Sequence, residues 1–200
     1  MIDSKCCIGH THYYRYMNTV SVNSLKNEEI AKYLNSGGQT EITERIRKIA
    51  SNFDGSFDEK IQKIFGYIKT FQYQTENKIK IFSKRTADQI IADGYVTGCT
   101  DEALIFIVLA RALKIPSKYI ETIDNEWLKN GGKTIKGHVY VSVFDNEKWR
   151  TADQSKRKID VDIKSDNRTI YKEGLDQWDI GINNFETLVA KFKDFRERIN

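Results

Sequence analysis

The sequence predicts an α+β protein in which one buried helix packs on an antiparallel sheet. Three observations carry this. The stretch GYVTGCTDEALIFIVLARALKIPSKY, Gly94 to Tyr119, holds an apolar run too long for most strands, closed by the single proline of the chain. Helical spacing dominates before it, and alternating spacing dominates after it. GHVYVSVF and KWRTAD follow one another closely enough to form a hairpin.

The elements follow in order. Residues 1–24 have no clear period, and THYYRYMNTVSV reads as a strand or an arm packed on the surface. From Thr40, Ile42, Ile46, Ile49, Ala50 and Phe53 keep helical spacing, and Gly55 breaks it. SFDE at Ser56–Glu59 is a capping box, leading into Ile61, Ile64, Phe65, Ile68 and Phe71. TADQ at Thr86–Gln89 is a second capping box, opening a short helix that Gly94 ends. After Cys99, Ala103 to Ala110 are apolar all round, the mark of a buried helix, and Pro116 stops it. SKYIETI reads as a strand. Along Gly137–Phe144, His138, Tyr140, Ser142 and Phe144 share one face and Val139, Val141 and Val143 the other. Asn125–Lys136, with Gly131-Gly132, reads as a movable loop before that strand. Leu188, Val189, Phe192, Phe195 and Ile199 mark a terminal helix with Asn184 as its cap. The expected layout is an arm and helical extension over residues 1–55, a core over 56–182 and a terminal helix over 183–200.

Two hundred residues suit one domain, able to bury roughly 70% of its unfolded surface. A net charge of +4 with interspersed signs argues against nucleic acid, and the short cluster Lys156–Lys158 reads as a solvated loop. No apolar run reaches membrane-spanning length, and MIDSKCCIGH has no signal-peptide core. Three cysteines, an odd and small number, point to a reducing, cytoplasmic setting. Cys6, Cys7, His10 and His12 crowd into seven residues without the spacing of a zinc site, so the cluster reads as incidental, with no metal or cofactor.

The chemistry centres on Cys99. A helix N-terminus favours the thiolate, the active nucleophile, and its free backbone N–H groups can face a developing oxyanion. Asp101 and Glu102 would oppose the thiolate, so Asp101 is expected to point away, onto backbone or a basic side chain. If Asp145-Asn146 is a two-residue turn, Phe144 pairs with Glu147 and His138 lies opposite Asp153, with Cβ atoms about 4.5–5.5 Å apart. A three-residue loop would put the two on opposite faces unless a bulge restored the register. An imidazole held by a carboxylate can take a thiol proton. The bland readings stand beside this one: a free cysteine is often a small core residue, and a strand histidine often a satisfied rim residue.

GCTDEALIFIVLARALKIPSKYI resembles the cysteine motif of the transglutaminase-like superfamily, where G-x-C-x-D/E-x-A leads through an apolar helix to R-x-L/F-G-I-P-[AS]-R-Y. GHVYVSVFDNEKWRTAD resembles its histidine and aspartate strands. KIQKIFGYIKTFQYQ is similar to the helix and tyrosine that precede the cysteine motif, and GLDQWDIGI to a segment of some bacterial members. The resemblance covers roughly residues 58–182. It implies a papain-like fold with Cys99 as nucleophile, His138 as base and Asp153 as the orienting acid. Lys114 stands where the family has glycine, Lys118 where it has arginine and Tyr140 where tryptophan is common. Gln89 and Tyr73 are candidates for a side-chain oxyanion donor. Papain itself places its histidine roughly 130 residues after the cysteine, further than this chain runs past Cys99.

The expected activity is thiol acyl transfer on a peptide or side-chain amide of a peptide or protein substrate, resolved by water. A glutamine transglutaminase and a non-catalytic binding module are the alternatives. Tyr140, Trp149 and Trp178 are expected as cleft walls, with Ser142, Gln154 and Asp176 as polar neighbours whose presence favours water.

Overall fold

The computed structural model describes residues 27–199. A helical stretch over residues 27–32, here α1, precedes α2 (Glu44–Ala50), α3 (Phe57–Ile68), β1 (Gln72–Tyr73), α4 (Lys78–Ile81), α5 (Ala87–Asp93) and β2 (Tyr95–Val96). The long central helix α6 (Cys99–Ala112) follows, then β3 (Ser117–Asp124), α7 (Asn125–Asn130), β4 (Gly137–Phe144), β5 (Trp149–Asp153), β6 (Lys158–Ile159), β7 (Arg168–Gly174) and α8 (Phe185–Ile199). The arm expected over residues 1–24 and the Cys6–His12 cluster lie outside the described residues.

The two capping boxes form as the sequence dictates. Ser56 and Glu59 close the start of α3, and Thr86 and Gln89 the start of α5. Gly94 ends α5 in the left-handed region, where a glycine carries no Cβ penalty. Helix α2 starts later than its periodicity predicts. Thr43 caps it, and Thr40 is drawn instead into a buried hydrogen bond to Asp176.

One five-stranded antiparallel sheet has the order β6-β5-β4-β3-β7, and β1 and β2 form a separate parallel pair. Helix α6 lies on the sheet and is buried along nearly its whole length. Its apolar side chains pack with Tyr119, Ile123, Val139, Val141, Val143 and Ala152, and with α2, α3 and α5 on its other sides. The opposite sheet face carries a smaller cluster of Ile120, Tyr140 and Ile163. The alternation read along β4 therefore holds: valines towards α6, His138 and Tyr140 away from it.

Two family departures have local reasons. Lys114 takes φ +65°, the left-handed conformation that explains a glycine preference there. Lys118 donates to Glu173 at 3.2 Å and lies over the rings of Tyr33 and Trp149. The segment expected to be a movable loop is half helical. Asp124 caps α7 by accepting from the Trp127 amide, and Arg196 of α8 donates to the Leu128 carbonyl. A hydrophobic pair, Trp127 against Phe192, adds to that anchorage. Strands β6 and β7, too irregular in pattern to be predicted, complete the sheet edges.

Candidate active site

The β4–β5 hairpin turns on Asn146-Glu147, one residue later than expected. Asn146 takes φ 79°, and the Asp145 carboxylate accepts from the amides of Glu147 and Lys148, closing an Asx turn. Phe144 therefore pairs with Trp149 and Val141 with Ala152. The predicted pairing is displaced by two residues, and a displacement of two preserves the face. Asp153 comes level with Tyr140, diagonal to His138 rather than opposite it. The diagonal is short enough: His138 Nε2 lies 3.1 Å from Asp153 Oδ2.

Asp153 is fully buried. Burial alone would raise its carboxyl. The hydrogen bond with His138 and the backbone amide of Lys156 outweigh that and hold it at about 2. Burial in turn disfavours the charged imidazole. The bond to Asp153 and contact with the Cys99 side chain overcome it and raise His138 to about 9. With Nε2 committed to Asp153, Nδ1 is the ring nitrogen available to the thiol. Tyr140 stacks edge-on against the imidazole, centroids 4.7 Å apart, and donates to Asp166 at 2.6 Å.

Cys99 is the first residue of α6 and is partly exposed. The amides that open a helix have no partner within it. Asp101 points away, as expected: it accepts from the Thr97 amide and hydroxyl and pairs with Arg85 at 2.6 Å. Glu102 stays on the site side. Ser155 Oγ donates to its carboxylate, and burial raises its pKa against that bond.

Gln154 holds the site together. Its Nε2 donates to the carbonyls of Cys99, at 3.0 Å, and Val139, at 2.8 Å. The backbone of the cysteine and of the histidine strand are thus tied by one side chain. Sequence reasoning saw Gln154 only as a polar wall. Its place directly after Asp153 is the signal that could have shown more. Behind these residues Tyr119 donates to Glu121 at 2.8 Å and Gln177 at 3.3 Å, both to Oε2. Glu121 is raised to about 7 by burial, which the two hydrogen bonds only partly offset.

Other expected site residues sit elsewhere. Gln89 is bound in its capping box and Trp178 donates to the Ser83 carbonyl. Trp149 packs on Tyr33 and Phe144 at the hairpin end of the sheet, and Asp176 accepts from Gln39 and Thr40. Neither tryptophan forms a cleft wall. Tyr73 does stay close: a Cβ built on Gly98 would lie 3.3 Å from Lys78 Nζ and 3.9 Å from the Tyr73 hydroxyl. Tyr73 is 58% exposed, so this pair forms the open rim beside Cys99. Beyond Lys78 a cavity of about 730 Å³ continues along Lys80, Lys84 and Ile79. Among the described residues no group of three or more His, Cys, Asp or Glu side chains could hold a metal ion.

A model of the transglutaminase-like superfamily matches residues 30–154. The chain belongs to that superfamily. Among solved structures, a candidate cysteine protease from Cytophaga hutchinsonii is similar, with TM-score 0.60 and 18% identity. The match covers 77% of this chain but 50% of that one, so the chain spans about half the length of that relative. Calcium-bound LapG of Legionella pneumophila is similar with TM-score 0.51 and 15% identity, over 86% of this chain and 98% of that one. No curated protein matches. At these identities the neighbours speak to the fold alone. No helix among the described residues is long and apolar enough to cross a membrane.

Proposed function

We propose that the chain is a cysteine-nucleophile hydrolase acting on peptide or side-chain amide bonds, with Cys99, His138 and Asp153 as its catalytic set. The 3.1 Å contact of His138 with a fully buried Asp153, together with the contact of the same imidazole with Cys99 at the start of α6, carries the reading.

The thiol gives its proton to His138 Nδ1, and the sulfur attacks the amide carbonyl carbon. Charge gathers on the carbonyl oxygen, within reach of the unpaired amides that open α6. The carbon–nitrogen bond breaks as the imidazolium returns its proton to the departing amine, leaving a thioester on Cys99. Water then attacks the thioester while His138 takes its proton, and the acid leaves with the thiol restored. Asp153 stabilises the imidazolium and fixes the ring orientation; it stays ionised throughout. The rim of Tyr73, Lys78 and the adjoining cavity is open, which favours water over a sheltered amine as the second acceptor.

The test uses a glutamine-containing protein with a labelled primary amine, and a peptide pool read by mass spectrometry of new termini. New termini or ammonia without incorporated amine are expected. Incorporation that outpaces hydrolysis at modest amine concentration makes the chain a transglutaminase instead. No product from either substrate, with Cys99 labelling no faster than free cysteine, reduces it to a binding module.

A further inference from the structure

Arg168 opens β7 and is half-buried, like Arg85, while Arg111 is fully buried. Arg111 and Arg85 each donate to several acceptors, although Arg85 Nε has none, whereas among the described residues no side-chain hydrogen bond holds Arg168 and its Nη1 is buried without a partner. Nor does Arg168 form an ion pair among the described residues. An unmet charged donor is costly inside a protein, so a guanidinium left this way is poised for an acceptor from outside.

There is room for one. Arg168 lines a cavity of about 550 Å³ with the hydroxyl residues Thr151 and Thr169 and the apolar Val161, Ile163 and Ile170. Asp162 lines it too, but its carboxylate is engaged in its own turn by the Lys164 amide and the Ser165 hydroxyl. The cavity lies on the sheet face that carries His138. Ile170 pairs with Thr122, and Thr122 with His138, so the three form a row across β7, β3 and β4. Two strand spacings put Ile170 about 10 Å from the histidine strand. An extended peptide rises about 3.3 Å per residue, so a side chain some three residues from the scissile bond spans that distance.

We propose that this cavity is a substrate subsite in which Arg168 receives the carboxylate of an aspartate or glutamate side chain of the peptide. The planar fork of the guanidinium matches a carboxylate with two parallel hydrogen bonds. Val161, Ile163 and Ile170 supply the apolar walls for the methylene stem. The subsite rests on the hydrolase reading for its purpose, and on Arg168 alone for its chemistry.

Binding is measured in a Cys99→Ala background, so that turnover plays no part. Two fluorescein-labelled hexapeptides serve as probes, Ala-Glu repeated three times and Ala-Gln repeated three times, followed by anisotropy at low salt. The glutamate peptide is expected to bind roughly tenfold or more tightly than the glutamine peptide. Arg168→Gln removes that preference, and Arg168→Lys, which keeps the charge without the fork, retains part of it. Melting curves of both variants should match the parent, because Arg168 gives up no hydrogen bond. Equal binding of the two peptides, binding of neither, or a glutamate preference that survives Arg168→Gln overturns the subsite. Hydrolysis of the peptide pool with no such preference rejects the subsite and keeps the hydrolase. Preference without any hydrolysis keeps the subsite and rejects the hydrolase.

Discussion

The two ends of α6 carry two kinds of buried polar cluster. At its last turn, Arg111 donates to the carbonyls of Tyr33, Ser117 and Leu175 and to the Thr40 hydroxyl, all within 2.7–3.0 Å. Asp176 lies nearby and binds the Gln39 amide and the Thr40 hydroxyl. Burial lowers the Arg111 guanidinium to about 10, opposed by Asp176 and Asp179, so it stays charged at neutral pH. At the first turn, Cys99 and Glu102 meet His138, raised to about 9, and Asp153, held at about 2, with Glu121 at about 7 behind them. Most partners of Arg111 are carbonyls, which cannot titrate. The partners of His138 can. The difference is physical: a buried charge bonded to carbonyls has one state and holds the chain, while one bonded to titratable groups has several and can move protons.

That contrast predicts opposite effects of mutation at the two ends. The largest belongs to the first turn. Cys99→Ala should abolish turnover while the melting temperature stays near the parent's; residual hydrolysis would mean the nucleophile lies elsewhere. Asp153→Asn should cost about 10⁴ in rate, by analogy with the orienting carboxylate of a serine triad, with circular dichroism unchanged. Because the imidazolium is the proton donor, turnover should fall as pH rises through about 9. Carboxymethylation of Cys99, read by site-resolved mass spectrometry, should show an inflection there that His138→Ala removes.

At the other end, Arg111→Met should cost about 3–5 kcal/mol in urea unfolding, because three carbonyls and the Thr40 hydroxyl lose their buried donor. Cys99 labelling in the folded protein should be unaffected; slower labelling would mean the two ends are coupled through the helix.

Glu121 sharpens the comparison, since it is buried behind the site but touches no reacting atom. Its folded pKa of about 7 exceeds the ordinary value, so the folded state binds the extra proton between about 4.5 and 7. Stability contributed by that proton is complete below about 4.5 and is lost as pH rises through 7, about 3 kcal/mol in all. His138 adds a loss of the same sign from about 6.5 to 9. Glu121→Gln keeps Oε1 to accept from Tyr119 and Gln177, and should flatten the first of these slopes in urea titrations at pH 5 and 8. An unchanged slope would show that Glu121 is ionised in the fold. The smallest effect is expected at Lys114→Gly, which relieves a left-handed backbone and should stabilise by about 1 kcal/mol.

Much of this was legible in the chain. Both capping boxes, the limits of α6, strand β4 and the Asn184 cap follow from neighbours three or four residues apart. The pairing of His138 with Asp153 was legible through parity alone. The turn lay one residue further on, yet both versions keep the two residues on one face. The misplaced expectations concerned large side chains. Trp149 and Trp178 were expected at the cleft, and each packs at a distance from it. Nothing in their immediate sequence says which surface a ring will find.

The sequence by itself determined the capped helices α3 and α5, the buried α6, strand β4 and the shared face of His138 and Asp153, because capping, periodicity and strand alternation act over a few residues. The roles of Cys99, His138 and Asp153 came with the family resemblance. Only the tertiary structure decided that Gln154 ties the cysteine to the histidine strand, that Arg111 is satisfied and Arg168 is not, and that Glu121 is buried behind the site. Those properties depend on which donors and acceptors meet across tens of residues, and on how much water is excluded where they meet.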